Sequence, residues 1–209
     1  MQESYKTFVI TIEQDTNTES PREWDNIGTM VCFHKGYNLG DTHNYKSENY
    51  ASWKELKAAL VKDGAILIIP LFLYDHSGIS MRIGSFQGLL PQGHADFDSG
   101  QVGYIYTTKK DILTNLPASF GKKRLTKRMR QQAQEWLESE VKTYDQYISG
   151  DVYSYTIKSR PEIEYEGDSC GGFYGYAECL QTAKEVIDSA YEHIPKARNK
   201  SISARMQAI

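Results

Sequence analysis

The amino-acid sequence predicts an α+β fold: a single domain with a mixed β-sheet of about five or six strands, packed by three main helices. Several short segments alternate apolar and polar residues, which is typical of half-buried strands. One continuous apolar run, residues 65–74, indicates a strand that is buried on both faces. Three longer segments repeat apolar residues at intervals of three and four, which is the spacing of amphipathic helices.

Four strands are predicted in the first half of the chain. Phe8–Gln14 alternates apolar and polar residues, and residues 28–34 give a second strand. The apolar run 65–74 is expected in the middle of the sheet, with a bulge or a break at Pro70, which lacks the N–H that a ladder requires. Residues 102–107 give the fourth strand.

The helices are predicted from their caps and apolar stripes. Ser52 and Glu55 form a capping box that begins a helix near 52–62. Apolar residues spaced by three and four mark a long helix near 125–148 and a last helix near 176–194. Thr108 caps a short helical turn.

The remaining C-terminal segments complete the prediction. Residues 152–158 and 162–166 are expected to form a hairpin, and residues 169–175 a glycine-rich turn. Residues 1–195 are expected to form one domain, because no repeat or clear linker interrupts them. The basic segment 196–209 is expected to be a mobile tail.

The composition argues against several classes of protein. A net charge of −3 is unlike the strongly basic charge of a dedicated nucleic-acid-binding domain. Three cysteines without a CxxC pair favour neither a disulfide framework nor a thiolate zinc site. The N-terminus lacks the plan of a signal peptide, and no apolar run is long enough to span a bilayer as a helix. We therefore expect a soluble, cytoplasmic protein without a membrane partner.

Two polar loops form the first candidate site. Asp75 and His76 follow the buried strand directly, and Asp98 precedes the next strand. His94 and Asp96 come before Asp98 at intervals of two, so on an extended chain these three side chains point the same way. If the loops meet, five metal-capable side chains converge, and carboxylates and imidazoles together can hold a divalent metal or perform acid–base chemistry. The alternative is turn chemistry, in which the aspartates bond backbone groups ahead of the following glycines.

Two further segments carry candidate residues. His34 follows a strand and Asp41 lies in a glycine-containing loop, so either residue completes the first site if the fold brings it there. Both also fit the satisfaction of local backbone groups. Cys170 lies in a glycine-rich segment before the last helix, where a lowered pKa would make it a nucleophile. The same glycines equally fit a tight turn.

A basic cluster precedes the long helix. Its six cations are Lys122, Lys123, Arg124, Lys127, Arg128 and Arg130. Such a cluster can contact RNA, DNA or an acidic protein. The alternative is a solvated helix start whose charges are balanced by Glu135, Glu138 and Glu140 of the same helix.

Several sequence blocks, read together, carry a resemblance. The blocks are residues 20–32 (SPREWDNIGTMVC) continuing through 37–41 (YNLGD), 70–79 (PLFLYDHSGI), 98–103 (DSGQVG), 144–147 (YDQY) with 150–153 (GDVY), and 170–175 (CGGFYG). In these blocks the chain resembles a family of uncharacterised proteins encoded by bacteriophages and prophages. Asp75, His76 and Asp98 lie inside the blocks, whereas His94 and Asp96 lie in residues 82–97, which depart from the shorter linker of that family.

The resemblance implies a place of action but no activity, and two hypotheses stay open. A phage accessory protein in the host cytoplasm is expected to act in host takeover or anti-defence. It would do so by stoichiometric binding of a host protein or a protein–nucleic-acid complex, through its tyrosines and the basic cluster. The alternative is a metal-dependent hydrolase that acts on a phosphate ester or nucleotide. In that case Asp75, His76 and Asp98 hold a divalent metal, and His34 or Asp41 assists.

Overall fold

The computed structural model describes residues 1–91, 93–117, 121–159 and 167–193, and these residues form an α+β fold. In chain order the strands are β1 (Gln2–Tyr5), β2 (Phe8–Gln14), β3 (Thr29–Cys32), β4 (Ala65–Asp75), β5 (Ile79–Ile83), β6 (Ser99–Thr108), β7 (Val152–Ser159) and β8 (Asp168–Tyr174). The helices are α1 (Trp53–Lys62), α2 (His94–Phe97), α3 (Lys109–Asn115), α4 (Lys127–Ser149) and α5 (Tyr176–His193). The three main helices of the prediction are therefore confirmed as α1, α4 and α5.

The strands form two sheets, where the sequence predicts one mixed sheet of five or six strands. Each sheet has four strands, and every pairing is antiparallel. One sheet belongs to a compact unit of Met1–Thr18 and Gly150–Ile209, called unit 1 here, and the other to Glu19–Ser149, called unit 2. The single domain over 1–195 stays a prediction, and the tail 196–209 lies outside the described residues.

Unit 1 is a sheet of order β1-β2-β7-β8 packed against α5. Its core joins alternate residues of β2 and β7 to one face of α5, including Phe8, Ile157 and Ala183. The prediction of a turn over 169–175 is wrong, because residues 168–174 form β8. This strand is mostly exposed and rich in glycine, so it lacks the apolar alternation that identifies a strand. The predicted strand at 162–166 lies outside the described residues.

Unit 2 is a sheet of order β3-β6-β4-β5 with helices on both faces. Neighbouring residues of one strand point to opposite faces. Accordingly, Met30 packs in the core that includes α4, and Val31 packs in the core that includes α1. Strand β4 lies between β6 and β5, which confirms its central position. Its ladder with β6 shifts register between Leu71 and Phe72, directly after Pro70.

None of the helices in the described parts of the chain combines the length and the apolar character that crossing a bilayer requires. The longest, α4, runs for 23 residues and carries charged side chains along its exposed face.

Candidate functional site

The end of β4 and the beginning of β6 bring the two polar loops of unit 2 together. Tyr74 pairs with Ser99 across the ladder, and the Asp75 N–H donates to the Asp98 carbonyl oxygen at 2.8 Å. The His76 N–H closes the following turn by donating to the Gly78 carbonyl oxygen. The two loops thus meet at one end of the neighbouring strands β4 and β6, as a joint site requires.

Helix α2 positions two more groups at this end of the strands. Gly93 precedes it with φ of 91°, a left-handed conformation that glycine adopts without strain. Ala95 buries one side of this short helix, and Ser99 Oγ donates to its carbonyl oxygen at 2.6 Å. The Asp98 N–H donates to the His94 carbonyl oxygen, so that His94 and Asp98 lie one helical turn apart.

Three metal-capable side chains converge there. The Nδ1 atoms of His76 and His94 lie 3.2 Å and 3.5 Å from the same oxygen, Oδ2 of Asp98. One ligand atom from each of the three residues lies within 4.8 Å of the others. In tetrahedral coordination with bonds of about 2.0–2.1 Å, two ligand atoms lie about 3.3 Å apart. The two distances from Asp98 Oδ2 therefore lie close to the separation expected between two ligand atoms of one zinc-like ion.

The Nδ1 atom of His94 adds an independent indication. It lies within ion-pair distance of Asp98, yet it forms no hydrogen bond with any described residue, and it is closed off from solvent. Buried polar atoms in proteins are nearly always hydrogen-bonded or coordinated, so a nitrogen in this state, aimed at a carboxylate, suits a metal ligand. The His94 side chain as a whole is 40% exposed.

A pocket of about 700 Å³ opens beside this cluster, and we call it the site pocket. Asp98 belongs both to the cluster and to the pocket wall. Across the pocket, His34 Nε2 lies 3.9 Å from Asp75 Oδ2, and the Tyr37 hydroxyl donates to Asp75 Oδ1 at 3.3 Å. The His34 ring also stacks on the Tyr37 ring, with centroids 5.2 Å apart. Stacking and the nearby carboxylate thus hold an imidazole that faces the same pocket as Asp98.

The metal-capable set differs in one member from the set that the sequence suggests. His76 and Asp98 belong to the observed cluster, but His94 takes the place of Asp75, whose carboxylate contacts His34 and Tyr37 instead. The four-residue spacing of His94 and Asp98 would have indicated this pairing if residues 94–97 had been predicted as a helix. The intervals of two suggested an extended segment. Tyr37, which holds Asp75, carried no signal in the sequence.

Asp41 lies in a different environment and does not line the site pocket. Its carboxylate accepts two hydrogen bonds from the Arg22 guanidinium, at 2.9 Å and 2.8 Å, and one from the Met30 N–H. Arg22 also pairs with Glu140, and its own side chain is only 5% exposed. Burial raises the pKa of the Glu140 carboxyl, against the lowering effect of Arg22 and of the Ile27 and Gly28 N–H groups. These residues hold the loops of unit 2 together.

The basic cluster is fully accessible. All six of its side chains are exposed, and none forms an ion pair within the described part of the chain. The acidic residues of α4 have other partners: Glu135 and Glu138 accept from glutamine side chains one turn earlier, and Glu140 pairs with Arg22. The cations of the cluster are therefore available to an outside partner.

Cys170 lies in β8 and not in the first turn of α5. It is exposed, whereas Cys32 and Cys179 are buried. A cysteine at a helix N-terminus is activated as a nucleophile by a lowered pKa, and the structure does not place Cys170 at such a position.

Comparisons with known proteins add no assignment, because no family model matches this chain and no curated protein or solved structure is significantly similar to it.

Proposed function

We propose that the protein is a metal-dependent hydrolase, acting on a phosphate ester or nucleotide in the site pocket of unit 2. One observation carries the proposal: two imidazole nitrogens converge on one carboxylate oxygen of Asp98, at the wall of a pocket large enough for a small substrate. Two imidazoles and one carboxylate form a ligand set that suits Zn²⁺, Mn²⁺ or Fe²⁺.

The ligand set has the form of a catalytic metal site. Three protein ligands leave coordination positions open, whereas structural zinc sites use four. A divalent metal held by His76, His94 and Asp98 would polarise a phosphoryl oxygen and would lower the pKa of a bound water towards 7. The cluster is partly exposed, with His76 at 50% and Asp98 at 28%, so that a substrate can reach it.

His34 and Asp75 supply the remaining chemistry. His34 lines the pocket, and its Nδ1 accepts a hydrogen bond from the Gly36 N–H, so that the neutral ring carries its proton on Nε2, near Asp75. This Nε2–H can donate a proton to a leaving group. Asp75 and Tyr37 position this imidazole without joining the metal ligands. Asp41 has no part in this proposal, because Arg22 and Met30 occupy its carboxylate.

The test is metal-dependent hydrolysis of p-nitrophenyl phosphate and bis(p-nitrophenyl) phosphate by the wild-type protein and by His94→Gln and Asp98→Asn. We expect activity with Zn²⁺ or Mn²⁺, and its loss by at least about 100-fold in each variant, because even the partners of metal ligands contribute about 10–100-fold. Asp96→Asn is the matched control, since Asp96 is exposed and hydrogen-bonded to Gln87. Activity that survives chelation, or that is equal in His94→Gln and the wild type, would refute the proposal.

A second candidate function is stoichiometric binding of a host protein or protein–nucleic-acid complex, in host takeover or anti-defence. The observation that favours it is the basic cluster, whose six exposed cations have no acidic partner within the described residues. An acidic protein surface or a nucleic-acid backbone complements this charge. The basic cluster and the site pocket consist of different residues, so the two functions can be tested separately.

A further inference from the structure

A second pocket shares two lining residues with the site pocket, and we propose that it binds the planar ring of a nucleotide substrate. We call it the aromatic pocket. This inference rests on the proposed hydrolase function and narrows its substrate class from phosphate esters in general to nucleotides. It predicts that the ring contributes binding energy at a place separate from the metal cluster.

The two pockets share part of their walls. The aromatic pocket has a volume of about 480 Å³, and Phe33 and Ser47 line both it and the site pocket. The inference requires that a ligand in the site pocket reach the aromatic pocket past these two shared side chains. Ser47 is exposed at this junction, where its hydroxyl can contact a group that connects the two ends of the ligand.

The walls of the aromatic pocket offer half-buried ring faces. Phe33, Tyr50 and Trp53 are its aromatic members, and Leu56 is buried in its wall. Each of the three rings packs with one side against the core around Leu56 and keeps part of its surface exposed. Aromatic faces of this kind bind planar rings by stacking, and they accept any nucleobase because every base has a π-face.

The indole of Trp53 is held in a fixed orientation before any ligand arrives. Its ring lies parallel to Phe33, at 17° and 6.1 Å between centroids, and edge-on to Tyr104 at 81° and 6.3 Å. The Tyr104 hydroxyl donates to the Trp53 carbonyl oxygen at 3.1 Å, and Ser52 caps α1 directly before it. A ring that binds here does not have to order the residues that it contacts, which favours affinity.

The two neighbouring pockets match the two parts of a nucleotide. The wall of the site pocket includes His34 and Asp98, and Asp98 also belongs to the cluster with His76 and His94, so the groups that would act on a phosphate lie at this end. The aromatic pocket is apolar and suits the base. A simple phosphate ester without a ring would leave the aromatic pocket unused.

The first experiment separates the aromatic pocket from the metal site. Isothermal titration calorimetry is performed without added metal, using adenosine, guanosine, cytidine and uridine as probes. The inference predicts measurable binding of at least one nucleoside, and absence of binding by all four would overturn it. This result does not depend on whether the protein binds a metal.

The second experiment compares ligands with and without a ring on the Zn²⁺-loaded protein. The 5′-monophosphate of the best-binding nucleoside should bind at least about tenfold more tightly than ribose 5-phosphate, since stacking of one base contributes on the order of tenfold or more. Equal affinities would contradict binding of a base in the aromatic pocket and would leave the hydrolase proposal unaffected. Failure of Zn²⁺, Mn²⁺ and Fe²⁺ alike to bind would overturn the hydrolase proposal, while the metal-free titrations would still decide whether the aromatic pocket binds a base.

A variant of Tyr50 tests whether the preference for a ring-bearing ligand depends on the aromatic pocket. Tyr50→Leu should remove most of the preference for the ring-bearing ligand and leave Zn²⁺ affinity unchanged, because Tyr50 lines only the aromatic pocket. Tyr176→Leu is the matched control, since this half-buried tyrosine belongs to unit 1. An equal loss of ring preference in both variants, or in neither, would contradict the assignment.

Discussion

At the scale of single residues, the sequence identified part of the candidate site. His76 and Asp98 stood out because acidic and imidazole side chains follow or precede strands at glycine-containing turns. The intervals of two place His94 on an extended segment, whereas the helical turn from 94 to 98 is what brings it to Asp98. Asp41 was a candidate because it lies in a glycine-containing loop, and no local pattern reveals its pairing with Arg22, 19 residues earlier.

The three cysteines allow a prediction at this scale. Burial raises the pKa of the Cys32 thiol to about 12 and that of the Cys179 thiol to about 11, whereas Cys170 is exposed. Only the thiolate form of cysteine reacts. A solution at pH 8 lies several units below the pKa of both buried thiols, so Cys32 and Cys179 stay protonated. Iodoacetamide should therefore modify Cys170 first in the native protein, as measured by peptide mass spectrometry.

The control for this prediction is the unfolded protein, in which all three cysteines should react at similar rates. Modification of Cys32 or Cys179 as fast as Cys170 in the native state would contradict the burial of these thiols in the structure.

At the scale of elements, α1, α3, α4 and α5 were predicted within a few residues, because their apolar stripes and caps are local signals, whereas the four-residue helix α2 was missed. The strands that were missed are β1, β5 and β8, and each is an edge strand of its sheet. β1 is polar and only four residues long, and β8 is mostly exposed, so neither gives the alternation that identifies a strand. β5 does alternate Ile79, Met81 and Ile83 with polar residues, but it is only five residues long. Glycines in β8 added to the resemblance to a turn.

Strand β6 provides the prediction at this scale. A Cβ atom on Gly103 would collide with the carbonyl oxygen of Val31 on β3, whereas a Cβ on Gly100 of the same strand would meet nothing. Gly103→Ala should therefore destabilise the fold by about 1–3 kcal/mol or more, which is the usual effect of overpacking. Urea denaturation followed by circular dichroism measures the difference.

Gly100→Ala is the matched control and should leave the free energy of unfolding nearly unchanged. If the two variants are equally stable, the close approach of β3 and β6 at Gly103 is incorrect.

At the scale of the whole molecule, the sequence predicted the α+β class but not the division of its strands between two sheets. Strands β2 and β7 pair along seven residues although unit 2 separates them in the chain. Periodicity identifies a strand without naming its partner, and such long-range pairings depend on tertiary packing. No glycine- or proline-rich linker marks the points near 18 and 150 where the chain passes from one unit to the other.

The basic cluster gives the prediction at this scale, because its effect depends on the summed charge of a surface. Combined replacement of Lys122, Lys123 and Arg124 by Ala should weaken binding of a fluorescent single-stranded oligonucleotide. It should also reduce the slope of log affinity against log salt concentration by about 0.7 for each lost phosphate contact. Fluorescence anisotropy at several salt concentrations measures both quantities.

The control replaces three exposed lysines of α1, Lys54, Lys57 and Lys62, which removes the same charge elsewhere on unit 2. An identical slope in the cluster variant and the wild type would exclude nucleic-acid binding through residues 122–130.

The convergence of His76, His94 and Asp98 on a divalent metal is the central claim, and zinc K-edge X-ray absorption tests it most directly. The sample is the protein loaded with one equivalent of Zn²⁺. We predict the scattering of two imidazole ligands with Zn–N distances of about 2.0–2.1 Å, and one imidazole fewer in His94→Gln. A spectrum without imidazole scattering, or one that His94→Gln leaves unchanged, would contradict the claim.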